Sequence, residues 1–233
     1  MPLDKSGPPV GILMLDSRFP RIPGDIGNPA SFSFPVSYKI VPDASPQKVV
    51  KNRAEGLLDS FIDAGQTLVN EGVCGITTSC GFLSLFQEEL NNALSVPVLT
   101  SSLMQVNLIN KMLPETKRVG ILTISASNLT EEHLQLADVP LNTPIGSTEG
   151  GQEFTRAILE NLPELDVDKA RQDNIDAAQD LYARHPELGA IVLECTNMTP
   201  YAKDMAEALN LPVFSIIDFI CWFHAAVSPR SYN

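Results

Sequence analysis

Two of the four cysteines, Cys80 and Cys195, stand where a thiol can do chemistry. Cys80 lies in the segment TTSCGF and Cys195 in LECTNM; each follows a short apolar run and precedes an amphipathic stretch. That order reads as a strand, then the cysteine, then a helix. In open parallel sheets, ligands bind beyond the carboxyl ends of the strands. A helix start there offers free N–H groups and a partial positive charge, which is expected to lower the pKa of a thiol. Two such thiols facing each other across a cleft could remove a proton from one face of a carbon and return one to the other face. Cys74, at a strand start, and Cys221, in an apolar terminal stretch, read instead as buried small hydrophobes.

The elements that must hold the pair recur along the chain. Residues 10–15 (VGILML) form a run that suits a buried parallel strand. A Pro/Gly-rich loop follows over 18–35, and residues 38–41 suit a second strand. Val50, Ala54, Leu57, Leu58, Phe61, Ile62, Leu68 and Val69 predict one long amphipathic helix. Strands are predicted over 75–78 and 96–99, with a helix marked by Phe82, Leu85, Phe86, Ala93 and Leu94 between them. From residue 119 the pattern restarts with VGILTIS; Thr130 is expected to cap a helix, and further helices are expected over 153–161 and 167–184. A strand over 190–193 ends at Cys195, Thr199-Pro200 opens a helix, and residues 212–216 form the last strand before a terminal apolar helix.

This restart has a register. Cys80 lies 17 residues before Pro97, and Cys195 lies 17 residues before Pro212. On that register Ile76 matches Ile191, Ala93 matches Ala208, Leu94 matches Leu209 and Val98 matches Val213, while the VGIL of residues 10–13 matches that of 119–122. The expected fold is therefore α/β, with two pseudo-symmetric lobes, each a short parallel sheet flanked by helices, and an active site in the cleft between them. Lobe one spans 1–116, with a terminal helix over 217–233 packing back on it, and lobe two spans 117–216.

With 44% apolar residues the 233-residue chain can bury a sizeable core. Its net charge of −12 offers no basic surface to neutralise phosphates, which speaks against a nucleic-acid partner and against an anionic membrane surface. No apolar run approaches the roughly 20 residues of a membrane helix. The polar, Pro-rich start carries no secretory pattern. The cytoplasm is the expected location, with reduced thiols. Three histidines and no CxxC pair speak against a metal such as zinc.

The segments TTSCGF and LECTNM resemble the paired cysteine motifs of the aspartate/glutamate racemase superfamily, and the resemblance covers nearly the whole chain. It implies a cofactor-independent racemase or epimerase in which Cys80 and Cys195 act as an acid/base pair at a carbon next to a carboxylate or carbonyl. The implied partner is a small-molecule carboxylate or hydantoin-like substrate, and the implied assembly is a homo-oligomer, a dimer. No lysine stands in a pyridoxal-phosphate context and no GxGxxG occurs, so no cofactor is expected. Two departures stand out: Gly81-Phe82 replaces the family's Asn-Thr, and Glu194 replaces a glycine. Asn-Thr helps hold the substrate carboxylate, so its loss points away from plain aspartate or glutamate.

The resemblance also marks binding candidates. Thr196 and Asn197 match the position after the second cysteine, and Thr78, Ser79 and Gly81 flank the first. Asp16 and Ser17 end the first strand; Ser125, Ser127 and Asn128 follow its counterpart. Each of these polar residues is equally a helix-cap or turn former. Arg18 and Arg21 could fork onto a substrate carboxylate or lie solvated. Phe82 could be core or pocket wall. Maleate isomerases keep both cysteines and remain open, whereas arylmalonate decarboxylases keep only the second. A cysteine-nucleophile hydrolase would need a histidine, and no motif ties His133, His185 or His224 to either cysteine. A noncatalytic binder would explain a cleft but not a repeated cysteine.

Overall fold

The computed structural model describes residues 7–229; the expected lobe and helix spans also reach 1–6 and 230–233, which lie outside the described residues. The strand β1 (Val10–Met14) is buried along its whole length, as a strand covered by helices on both faces must be. It pairs in parallel with β2 (Val36–Ile40) and β3 (Gly75–Thr78), and β3 pairs with β4 (Val98–Leu99), giving the order β2-β1-β3-β4. A second sheet repeats that order. It consists of β5 (Arg118–Thr123), β6 (Ile145–Ser147), β7 (Leu188–Leu193) and β8 (Val213–Phe214), arranged β6-β5-β7-β8.

The registers also match. Gly11 faces Ile76 and Ile76 faces Val98 in the first sheet; Gly120 faces Ile191 and Ile191 faces Val213 in the second. The spacing of the two cysteines pairs Ile76 with Ile191 and Val98 with Val213, and the VGIL repeat pairs Gly11 with Gly120. The fold is the expected α/β architecture of two parallel sheets flanked by helices.

Three local expectations are corrected. The long helix predicted through 50–69 is two helices, α1 (Pro46–Lys51) and α2 (Leu58–Asn70), because Arg53, Ala54 and Gly56 take left-handed backbone angles between them. The apolar positions still face inward; Val50, Ala54, Leu57, Phe61 and Leu68 are all buried. The helix after Cys80 begins as a 3-10 turn, Gly81–Phe86, and becomes α3 (Gln87–Ala93) only afterwards. Thr199 is not the cap of the element it opens. The turn Thr199–Tyr201 has Met198 at its cap, and the Thr199 hydroxyl is buried without a partner among the described residues.

The remaining helices are α4 (Val106–Met112), α5 (Glu131–Leu136), α6 (Phe154–Leu159), α7 (Val167–Arg184), α8 (Ala202–Leu209) and α9 (Ile216–Val227). Helix α9 lays Ile216, Ile220 and Phe223 against Val10, Ile12 and Met14 of the first sheet. Its other face is open to solvent. Cys221, expected to be buried, is exposed, and its neighbour Trp222 is 60% exposed. Among the described residues no helix is long and apolar enough to cross a membrane.

Candidate functional site

Cys80 ends the segment after β3 and Cys195 the segment after β7, and the backbone is pinned in the same way at both. Ser79 N–H donates to the Leu13 carbonyl and Glu194 N–H to the Leu122 carbonyl, the matching residues of β1 and β5. Both thiols are buried and line one cavity. Ser79, Glu194, Thr196 and Asn197 line it too, and the rest of the wall is apolar: Leu15, Phe19, Pro46, Val50 and Phe82 from the first half, Ile124, Ile158 and Leu159 from the second. Phe82 is thus both core and pocket wall.

Hydrogen bonds tie the halves together around the cavity. Thr196 Oγ1 donates to the Ser79 carbonyl (2.7 Å), and Ser102 Oγ donates to the Leu193 carbonyl (2.5 Å). Asn197 Nδ2 donates to the buried Asp25 (2.7 Å). Asp25 in turn accepts from Arg21 (3.0 Å) and from Gly27 N–H (2.7 Å), so the Pro/Gly-rich loop is tied to Asn197 of the site. The Cys195 Sγ donates to Asn197 Oδ1 (3.7 Å).

The thiols are not activated in the way the sequence suggested. Burial pushes both pKa values up, Cys195 well above the usual thiol range, and the Glu194 charge adds to that. Backbone N–H groups at Phe82 and Asn197 act in the lowering direction expected of a chain turn, as does Arg21 on Cys80. They are outweighed, because a charged sulfur loses all bulk water in this cavity. Glu194 itself is fully buried, and burial pushes it up to about 8. One of its oxygens accepts from Thr123 Oγ1 (2.7 Å); the other has no partner among the described residues.

Several residues singled out from the sequence lie elsewhere or are committed. Thr78 Oγ1 donates to the Thr100 carbonyl and serves the turn. Gly81 meets Glu194 rather than open space, since a Cβ there would collide with that carboxyl group. Asp16 bonds through its backbone to Ala44 and Asn161. Ser17 accepts from Arg21 (2.6 Å), which also stacks 4.4 Å from the Phe19 ring centroid. Arg18 N–H donates to Asn161. Ser125 and Ser127 both donate to Glu149, and Asn128 donates to Ser125, so this group forms its own cluster away from the cavity lining. Glu194 entered the sequence reading only as a departure from a motif, and Asp25 only as part of a loop. The missed signal was a charged residue inside an otherwise buried stretch, VLECT. Among the described residues no cluster of three or more His, Cys, Asp or Glu is placed to hold a metal ion.

No family model matches the chain. The fold of two four-stranded parallel sheets flanked by helices matches that of solved decarboxylase and racemase structures. A glycine-to-cysteine mutant of arylmalonate decarboxylase in its sulfate ion associated form superposes with a TM-score of 0.63 at 16% identity, covering 97% of each chain. Aspartate racemase from Picrophilus torridus gives 0.58 at 15% identity, covering 97% of this chain and 96% of that one.

Sequence relatives narrow this further. The chain is 30% identical over 217 residues to a dimethylsulfoniopropionate lyase from Durusdinium sp. clade D, covering 89% of this chain and 71% of that protein. It is 28% identical over 224 residues to dimethylsulfoniopropionate lyase 6 from Emiliania huxleyi (strain CCMP1516), covering 90% of this chain and 57% of that protein, just over half its length. The chain belongs to the family of these dimethylsulfoniopropionate lyases.

Proposed function

We propose that the protein is a cofactor-independent lyase that cleaves dimethylsulfoniopropionate or a close analogue by removing the proton next to the carboxylate. The observation that carries this reading is the pair of buried thiols lining one mostly apolar cavity, in a chain of the lyase family. The chemistry follows from the substrate. Its sulfonium sits one carbon beyond the carbon that bears the acidic hydrogen. A cysteine thiolate takes that hydrogen, the C–H electron pair becomes a carbon–carbon double bond, and the carbon–sulfur bond breaks with its electrons going to sulfur. Dimethyl sulfide leaves neutral, acrylate remains, and the proton stays on the cysteine. The leaving group needs no acid, so a single base suffices.

Cys195 is assigned as that base because its sulfur is oriented by Asn197, which Asp25 and Arg21 hold in turn. A thiol held above its usual range is a stronger base once ionised, which recovers part of what the small thiolate fraction near neutral pH costs. Ser79 Oγ accepts from Leu15 N–H and keeps its own proton for the substrate carboxylate. The apolar wall excludes the water that would protonate a carbanion.

A second reading keeps both thiols in the chemistry, as a racemase or epimerase acting on an amino acid, hydantoin or related small acid. The presence of Cys80 in the same cavity supports it. The experiment is to incubate the protein with dimethylsulfoniopropionate in D₂O, measuring headspace dimethyl sulfide and the deuterium in recovered substrate, with amino acids and hydantoins in parallel. Dimethyl sulfide release bears the lyase out. Deuterium exchange on an amino acid or hydantoin without elimination favours the racemase and overturns it.

A further inference from the structure

Glu194 is used by neither step of that chemistry, yet its place is built. It is fully buried beside both cysteines and lines their cavity. One oxygen takes the Thr123 hydroxyl and the other has no partner among the described residues. The backbone facing it is Gly81, where any side chain would occupy the carboxyl's space. A buried carboxylate ordinarily has a cation beside it. The nearby guanidinium, Arg21, is committed to Asp25 and Ser17. A second carboxylate brought into the cavity would find no cation to pair with, whereas a cation would draw the Glu194 carboxyl into its ionised form and complete an ion pair. The remaining wall suits a cation clothed in methyl groups, with apolar side chains and the Phe19 and Phe82 rings.

We propose that Glu194 is the counter-ion of a methylated onium group, so that the cavity selects zwitterions carrying a sulfonium or quaternary ammonium and rejects dicarboxylates. The inference rests on the proposed function for the choice of cavity, but it concerns binding and is tested apart from turnover. The bound cation favours the ionised carboxylate. Because burial holds the empty site's Glu194 up near 8, each cation bound near neutral pH releases about one proton, and affinity strengthens as pH rises toward that value. The titratable groups that feel the Glu194 charge are Cys80 and Cys195, and Arg21 and Asp25 act in turn on those thiols. Both thiols stay protonated over this range, and the Arg21–Asp25 pair is already formed.

The test is isothermal titration with two ligands of one shape, 3-(trimethylammonio)propionate and its uncharged-headgroup isostere 4,4-dimethylpentanoate. The wild type should prefer the ammonium compound by roughly tenfold or more, the scale of one buried charge pair. Glu194→Gln should bind the isostere as the wild type does and lose the preference, and its ammonium binding should no longer release a proton. Thr123→Val, which frees the carboxyl from its anchor, should weaken the preference while leaving the isostere's affinity alone; it decides the matter if the first variant binds nothing. A wild type without preference, or a Glu194→Gln variant that keeps it, overturns the proposal. Dimethyl sulfide release, measured on the same preparations, separates the two readings. Release with an unchanged preference in the variant removes the counter-ion and keeps the lyase. A Glu194-dependent preference without release does the reverse.

Discussion

The two halves share a frame and differ at one place in it. Ser79 and Glu194 donate the same backbone hydrogen bond to matching strands, and each immediately precedes its cysteine. Yet the first half puts a small hydroxyl there and the second a buried carboxyl group. The thiols differ in their surroundings as well. Cys195 is hydrogen-bonded to Asn197 in a network reaching Asp25 and Arg21, whereas Cys80 opens directly into the turn Gly81–Phe86. A racemase that works in both directions needs two thiols in comparable settings. Duplicated backbone with unlike side chains suits a reaction that runs one way, with a base on one side and recognition on the other.

The sharpest way to break this comparison is to remove each thiol in turn. Cys195→Ala should lower dimethyl sulfide release by about 10²–10⁴-fold, the usual loss of a positioned base. Cys80→Ala should cost much less, since no step of the elimination needs a second acid. Equal losses, read from initial rates at saturating substrate, would restore the symmetric two-thiol mechanism.

A smaller effect should follow at the place where the halves meet. A methyl group at Gly81 would collide with the Glu194 carboxyl and carbonyl oxygen. Gly81→Ala should therefore destabilise the fold by about 1–3 kcal/mol, as overpacking does, and should also weaken substrate binding, read as a higher KM in the dimethyl sulfide assay. An unchanged KM with full stability would mean that Glu194 is not confined there.

The same carboxyl leaves a mark on stability. Burial raises the folded pKa of Glu194 from the ordinary 4.5 to about 8. Between those values the unfolded chain has already lost the proton while the folded one keeps it, so stability falls as pH rises through that window. The loss is on the order of a few kcal/mol by pH 8. Glu194→Gln should flatten this slope in denaturant titrations run across that window. A slope identical to the wild type would show the carboxyl to be ionised and compensated in the resting fold.

Much of the frame was legible in the residues alone. The 17-residue spacing from each cysteine to a Pro-Val pair paired Ile76 with Ile191 and Val98 with Val213, and those residues occupy matching sheet registers. Local conformation was harder to read. The apolar stripe from Val50 to Leu68 gave no warning of the left-handed Arg53 and Ala54, since a stripe records which side chains face inward and not whether the backbone between them is continuous. Strand β6 escaped because Ile145–Ser147 is three residues long, with a glycine at its centre and a proline before it. Within the site, the cysteines and their neighbours Ser79, Thr196 and Asn197 were found by position, whereas Asp25 was hidden in a loop. Ser125, Ser127 and Asn128 were drawn in by symmetry, and the structure spends them on Glu149. Glu194 was visible only as a mismatch to a motif, because a lone charge in an apolar run says that something must satisfy it but not what.

The smallest expected effect concerns how the second half holds the Cys80 turn. His133 is fully buried, its ring edge-on to Phe82 at 5.1 Å between centroids, and its carbonyl accepts from Ser84. Its Nδ1 accepts from the Thr130 N–H at the start of α5, and its Nε2 has no partner among the described residues. Burial, helped by Arg53, lowers its pKa from 6.5 to about 4, against the opposing charge of Glu132. As pH falls through that window the unfolded chain takes up a proton that the folded one refuses, so stability is present above 6.5 and is lost toward 4. Protonation would also cost Nδ1 its role as acceptor at the helix start. Glutamine at the same position can still close a capping box but does not titrate. Measured against the wild type, His133→Gln should therefore gain a few degrees of relative melting temperature between about pH 7 and pH 5, a difference from which the opposing contribution of Glu194, common to both, cancels. In hydrogen exchange at the lower pH, the turn Gly81–Phe86 should open faster than the matching turn Thr199–Tyr201, which no histidine touches in this way. Equal exchange in the two turns would show that α5 does not steady the Cys80 side.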